Sequence, residues 1–193
     1  IILLNARLSN QIRRLAFEDM LTGTASRRGL YEALPAWLQR HAGTATPAHV
    51  ALIDLDDFKA VNDLLGHAVG DSLLKDFAQV SQSNLPDDAF IARFGGDEFA
   101  VLLPPSVNDE ALLTWAATLR VVFETAAAAR LSGLGNSRSA QPSLSVGWAP
   151  ITSNDAKNFD EALRKADAQL YSQKAGSRRS LRYVRSGPGA LTP

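Results

Sequence analysis

The 193-residue chain has no cysteine, and its 20 basic residues are matched by 20 acidic ones. The missing cysteine excludes disulfides and thiolate zinc sites and is compatible with a reducing compartment. The missing net charge removes the electrostatic footprint of a nucleic-acid binder, so no nucleic-acid partner is expected. The chain also lacks an initiator methionine. It starts Ile1-Ile2-Leu3-Leu4 and is expected to be a piece of a longer protein. Four apolar residues cannot span a bilayer, which takes about 20. They suit the end of a membrane helix or the apolar face of a stalk. Ile1, Leu4, Leu8 and Leu15 fit heptad a and d positions, although Gln11 interrupts them, and residues 1–17 are read as a linker or stalk helix. What the chain does have is 46% hydrophobic residues, enough to bury one core of ordinary size in a single domain.

Its most informative stretch is Arg93-Phe94-Gly95-Gly96-Asp97-Glu98-Phe99, two carboxylates on a glycine pair between apolar segments. Ala89 to Ala92 and Phe99 to Leu103 read as short buried strands, the second ended by Pro104-Pro105, so the tip is a hairpin turn. The glycines suit a turn that needs positive φ and leave no side chain between a ligand and the backbone. Strand alternation predicts that Asp97 and Glu98 face opposite sides and do different work. Such a turn can also be a solvated hairpin tip. A second acidic cluster favours the functional reading: the buried strand Val50-Ala51-Leu52-Ile53 runs into Asp54-Leu55-Asp56-Asp57-Phe58-Lys59. Magnesium takes oxygen ligands, usually one or two carboxylates completed by substrate phosphates and water. An aspartate ending a central strand, beside a carboxylate on a neighbouring hairpin, would supply such a pair.

Helix and strand alternate along the chain. A helix is expected around Arg28 to His41, a strand at 50–54, a helix around Asp71 to Ser83, the hairpin, and a helix carrying Leu112, Trp115, Leu119, Val122 and Phe123. A strand follows at Ser143 to Trp148, then a helix from Asp160 to Lys174 and a closing strand at Leu181 to Val184. Ser132 to Ser139 is a small polar connector, and the tail at 186–193, with Gly187-Pro188-Gly189, reads as a linker. The order β-α-β-β-α-β within this list is the ferredoxin-like pattern of an α/β (α+β) fold.

These motifs resemble the GGDEF domain, the catalytic domain of diguanylate cyclases, which join two GTP molecules into cyclic di-GMP. Asp19-Met20-Leu21-Thr22-Gly23 resembles the family's Asp-x-Leu-Thr-Gly. Asp54-Leu55-Asp56-Asp57-Phe58-Lys59-Ala60-Val61-Asn62-Asp63 resembles its Asp-x-Asp-x-Phe-Lys-x-x-Asn-Asp. Gly66-His67, Gly70-Asp71, Ala166-Asp167, Leu170-Tyr171 and Lys174 fall at the family spacing, so the likeness runs from about residue 16 to 185. It implies a nucleotide-cyclase and polymerase-palm type of core, with a mostly antiparallel central sheet flanked by helices, over residues 18–185. It further implies magnesium, with manganese as a substitute, GTP as substrate, and a homodimer for activity. The domain is expected to be cytoplasmic, with the preceding helix as its route to an upstream sensor or an inner-membrane segment.

The resemblance also suggests roles. Asp54 and Asp97 would be metal carboxylates, with the Leu55 carbonyl as a further ligand. Glu98 would bind a second metal or help activate the attacking 3′-hydroxyl, unless it pairs with a nearby cation. Phe58 and Lys59 lie where backbone N–H groups at a helix start receive phosphate oxygens. Lys174 and Arg178, four residues apart, would share a helix face toward the β- and γ-phosphates, or form an ordinary basic helix end. Asn62 and Asp71 match the guanine-recognising positions; a carboxylate there accepts from guanine N1–H and N2–H₂ and disfavours adenine. Asp71 is alternatively an N-cap. His67 is expected to be structural.

The chain departs from the family pattern in several places. Thr24 and Ser26 replace the usual leucine and asparagine of the opening motif. Gly176-Ser177 precedes Arg178 where glycine is usual next to it. Pro86 and Ala89 stand where many members carry the Arg-x-x-Asp site for product inhibition, so no inhibition through that site is expected.

Overall fold

Strand β2 (Ala48–Asp56) is buried over all but its last residue, which requires covering layers on both faces. The structure, a computed structural model, describes residues 14–132, 142–152 and 156–185, with side chains of the last segment from Lys157 to Ala175. The remaining described elements are β1 (Ala25–Ser26), α1 (Arg27–Arg40), α2 (Phe58–Leu65), α3 (His67–Ser83), β3 (Phe90–Arg93), β4 (Glu98–Leu103), α4 (Asp109–Ser132), β5 (Ser143–Ile151) and α5 (Ala156–Arg185). The five strands form one sheet in the order β1-β3-β4-β2-β5. Only β1 with β3 is a parallel pair, so the sheet is mostly antiparallel, and β2 to β5 follow the ferredoxin-like order.

Alternate residues of β2 serve two cores. Ala51, Ile53 and Leu55 join Phe77 of α3 and Trp115, Leu119 and Phe123 of α4. Val50 and Leu52 join Leu30, Leu34 and Trp37 of α1 and Phe159, Leu163 and Leu170 of α5. Both helical faces expected from the sequence are therefore core; Val80 and Val122 are only half-buried at their margins. The long apolar α4 meets the length and composition of a membrane-crossing helix, yet it lays Leu112, Leu119, Phe123 and Ala127 fully buried against the domain.

Several local expectations change. The helix expected from Asp71 starts at His67, so Asp71 lies one turn inside α3 and is not its N-cap. Ser26 is an N-cap: its hydroxyl accepts from Gly29 N at 3.1 Å at the start of α1. Residues 181–184 continue α5 as helix instead of closing the sheet. Their short apolar pattern suits either state, and the outer edge of β5 is already covered: Trp148 N donates to Gln169 Oε1 at 2.5 Å and Val146 N to Gln173 Oε1 at 3.4 Å. Of the stalk, only residues 14–17 are described, as helix; residues 1–13, the connector beyond Ser132 and the tail at 186–193 lie outside the described residues.

Helix α5 rests directly on β5 at Gly147. A Cβ there would stand 2.1 Å from the Ala166 carbonyl oxygen and 2.5 Å from Leu170 N. The hairpin turn is held differently, by Arg93. Its Nε and Nη2 donate to the Gly96 carbonyl at 3.1 and 2.6 Å, and its Nη1 donates to Asp19 at 3.2 Å. Asp19 also accepts from Thr22 N and Oγ1 at 2.9 and 2.7 Å. Burial alone would raise the Asp19 carboxyl, but the Thr22 donors and Arg93 together outweigh it and hold it below its ordinary value.

Two predictions follow from these contacts. Gly147→Ala should destabilise the domain by about 1–3 kcal/mol in urea unfolding, because backbone rather than a flexible side chain must move; an unchanged midpoint would refute the close approach. The Asp19 contribution is complete above the ordinary carboxylate pKa and is lost as pH falls through the lowered one. At neutral pH, Asp19→Asn should therefore be less stable by about 1–3 kcal/mol. That gap should close on acidification, and a constant gap would be the contrary result.

Candidate active site

The β2–β4 pairing assembles the acidic centre. Asp54 lies directly opposite Glu98, and Leu55 N donates to the Asp97 carbonyl at 3.2 Å, tying the turn to the end of β2. The turn is closed by Phe94 N and Gly95 N, which both donate to the Glu98 carbonyl at 2.8 and 3.1 Å. Gly95 and Gly96 do not take the positive φ expected of them. The requirement at Gly95 is space: a Cβ would lie 2.5 Å from Glu98 Oε2, so the Glu98 side chain folds back over its own turn.

Asp54 is buried and Lys174 of α5 donates to its Oδ1 at 2.5 Å. Burial raises the Asp54 carboxyl above the ordinary range; Lys174 draws it back, and the negative charges of Asp97 and Asp56 push it up again. Asp56 faces the same way along β2, accepts from Ser145 Oγ at 2.8 Å, and is raised first by burial. The centre thus crowds carboxylates in a half-desolvated corner with one ammonium among them. Asp97 is half-buried and acts electrostatically on Asp54, whereas Glu98 is exposed and turns to a cavity between α1 and α5. The two turn carboxylates therefore stand in different surroundings.

This donor set fits a hard divalent cation. Asp54 and Asp97 offer carboxylates and Leu55 a carbonyl, while Glu98 is adjacent. Among the described residues no group of three acidic or histidine ligands exists, so phosphate oxygens and water would have to complete the shell of a bound magnesium. A dication would also offset the burial, and the smaller repulsion from Asp97 and Asp56, that raise Asp54.

The predicted nucleotide residues fall beyond the end of β2. Asp57 precedes α2 in the left-handed conformation, φ 55°, with no side-chain cap, which leaves the Phe58 and Lys59 amides at an uncapped helix start. Phe58 packs partly on the core and Lys59 is exposed. Helices α2 and α3 meet at Gly70, where a Cβ would come 2.0 Å from Asn62 Oδ1 and 3.1 Å from the Phe58 ring. Asn62 is thereby held against the backbone just before Asp71, which is exposed. His67 is also exposed, at the first position of α3. Lys174 reaches the acidic centre; Arg178 lies one turn further along α5, its side chain outside the described residues.

Sequence reasoning assigned no role to Arg93, Asp19, Ser145 or Gly147. Arg93 carried a signal, since a cation next to an acidic glycine turn can take the turn carbonyl. Gly147 carried none, because the helix above it is distant in sequence.

The sequence profile described as "Diguanylate cyclase, GGDEF domain" matches residues 16–180. Diguanylate cyclase DgcM of Escherichia coli K12 is 34% identical over 172 residues, covering 89% of this chain and 39% of that protein. Cyclic di-GMP phosphodiesterase NbdA of Pseudomonas aeruginosa is 33% identical over 172 residues, 89% of this chain and 21% of its own length. The chain thus spans well under half of these curated relatives. Among solved structures, the coiled coil and GGDEF domain of DgcB from Caulobacter crescentus, in complex with c-di-GMP, superposes with a TM-score of 0.73 at 26% identity, covering 91% of this chain and 89% of that one. The profile match over most of the chain, together with the shared palm-type sheet, makes this protein a member of the GGDEF family.

Proposed function

We propose that this domain is a diguanylate cyclase, condensing two GTP molecules into cyclic di-GMP and two pyrophosphates across a homodimer interface. The observation that carries the reading is the convergence of Asp54, Asp97 and Lys174 at the end of β2. Family membership and the likeness to DgcM support it.

Asn62 and Asp71 are assigned to the guanine edge, where Asp71 accepts N1–H and N2–H₂ and so favours GTP over ATP. The α2 amides at Phe58 and Lys59 receive phosphate oxygens, and Lys174 and Arg178 neutralise the β- and γ-phosphates. Lys174, which rests on Asp54, can pass to the triphosphate when the carboxylate gains another cation. Asp54, Asp97 and the Leu55 carbonyl hold magnesium, with Glu98 beside them. Bound there, magnesium supplies Lewis-acid stabilisation of the charge that grows as pyrophosphate leaves. In each transfer a 3′-hydroxyl gives its proton to Glu98 or to water, its oxygen bonds to the α-phosphorus of the facing GTP, and the α–β anhydride breaks to release pyrophosphate. Each domain presents one GTP, so one domain alone is half a site, and the pairing of two chains supplies the alignment.

The domain fused to a short dimerising coiled coil, given GTP and magnesium, should yield cyclic di-GMP by mass-resolved chromatography. Asp97→Ala should lower the rate by about a hundredfold or more. GTP binding without product would instead support a non-catalytic GTP-binding module that regulates an attached domain. Gly70→Ala should raise the KM for GTP by about tenfold, because the methyl displaces Asn62 from the base site. An unchanged KM would remove Asn62 from the recognition scheme.

A further inference from the structure

Between the first turns of α1 and the middle of α5 lies a cavity of about 380 Å³, floored by Leu52 and Ile53 of β2. This is the low end of the size of small-molecule sites, about 300–1,000 Å³, and is room for one nucleotide unit. Asp54, Asp97 and Lys174 do not line it, so it is separate from the proposed triphosphate site. Glu98 does line it and forms the wall between the two.

The lining combines three chemistries. The first is a cation-aromatic surface: the Arg27 guanidinium lies over the Phe94 ring, 4.4 Å from its centroid, and donates a hydrogen bond to the Tyr31 side chain, whose ring stands 6.4 Å from that of Phe94 at a tilt of 32°. The second is positive charge, from Arg27 and from Arg164. The third is a pair of acceptors, Asp160 and Asp167, which share with Arg164 one face of α5 along the cavity. Asp160 accepts from the Tyr31 hydroxyl at 3.2 Å, which leaves its second oxygen available. Among the described residues, neither Arg164 nor Asp167 makes a hydrogen bond or a salt bridge, although Arg164 acts electrostatically on Glu161 one turn away.

Simple ligands use only part of this set. A phosphate ion leaves the aromatic rings and the carboxylates unused. A basic peptide would meet the three carboxylates but leave the two arginines without an anion. An adenine nucleotide lacks the N–H pair that a carboxylate reads. A guanine nucleotide uses all three: a planar base, an anionic phosphate and a donor edge. We propose that this cavity is a second, metal-independent site for a guanine nucleotide unit, with the base stacked on the open face of the Arg27–Phe94 pair, its donor edge on the α5 carboxylates and its phosphate on Arg164. An occupant lies against Glu98, so filling the cavity bears directly on the signature turn. The proposal goes beyond the cyclase reading and does not need it, because binding is measured without metal or turnover.

Calorimetric titration of the 193-residue chain with GMP in EDTA tests it, with AMP as the base control. GMP should bind, AMP should bind at least about tenfold more weakly, and Arg164→Glu and Asp167→Asn should each weaken GMP by about tenfold or more. Asp71→Asn, which lies in the other site, should leave intact the component of GMP binding that Arg164→Glu and Asp167→Asn weaken, and remove at most the separate component that belongs to its own site. Arg164 and Asp167 are exposed, and equal urea midpoints separate loss of ligand from loss of fold. Cyclic di-GMP that follows the same variant pattern identifies the product as an occupant, whereas GMP alone identifies a mononucleotide. No GMP binding by the wild-type chain, or binding abolished by Asp71→Asn and indifferent to Arg164 and Asp167, would overturn the proposal.

Discussion

The antiparallel pairing of β2 with β4 is the constraint on which the centre depends. It sets Asp54 opposite Glu98 and brings the Asp97 carbonyl to the Leu55 amide. Because strand side chains alternate, a slip of one residue would turn Asp54 into the core shared with α3 and α4 and bring Leu55 out among the carboxylates. Burial on both faces prevents that slip. Ala51, Ile53 and Leu55 are committed to one core, Val50 and Leu52 to the other. The same packing that stabilises the domain thus fixes its chemistry in register.

The helices then add charge to that frame. α5 contributes Lys174, and its depth is set by Gly147, where helix backbone meets strand backbone with no room for a side chain. α2 and α3 contribute Asn62 and Asp71 through a second close approach, at Gly70. Arg93 steadies the turn between them by taking the Gly96 carbonyl and Asp19 together. At Gly147 and at the Gly96 carbonyl, a small residue or a turn carbonyl lets a distant charged group arrive, and at Gly70 the missing side chain lets the Asn62 amide lie beside Asp71. The net result is an excess of carboxylate in a partly desolvated corner, a condition that favours a bound dication.

Much of this was legible in the sequence. The continuous apolar runs at 50–53 and 99–103 announced buried strands, and the acidic run at the end of the first announced the centre, because strand ends and turns expose side chains in a known order. Helix positions with strong 3.6-residue periodicity, such as Leu112, Trp115, Leu119 and Phe123, landed in the core as expected. The misses have particular causes. Residues 181–184 read as a strand because a short apolar pattern does not distinguish strand from helix, and the edge they would have joined is covered by Gln169 and Gln173. The start of α3 was placed four residues late because Asp71 resembles an N-cap, while Gly66, at φ 86°, makes the turn. The glycines of the signature were assigned to φ when Gly95 serves the approach of Glu98. Close contacts between elements remote in sequence leave no local pattern to read.

The central claim is that Asp54 and Asp97 jointly hold a divalent cation on the triphosphate of GTP. The most direct measurement compares GTP affinity with and without magnesium in the wild-type chain, Asp54→Asn and Asp97→Asn. The account predicts that magnesium strengthens GTP binding by the wild type and that either substitution removes that enhancement while metal-free binding remains. An enhancement that survives intact in both variants would place the cation elsewhere and contradict it.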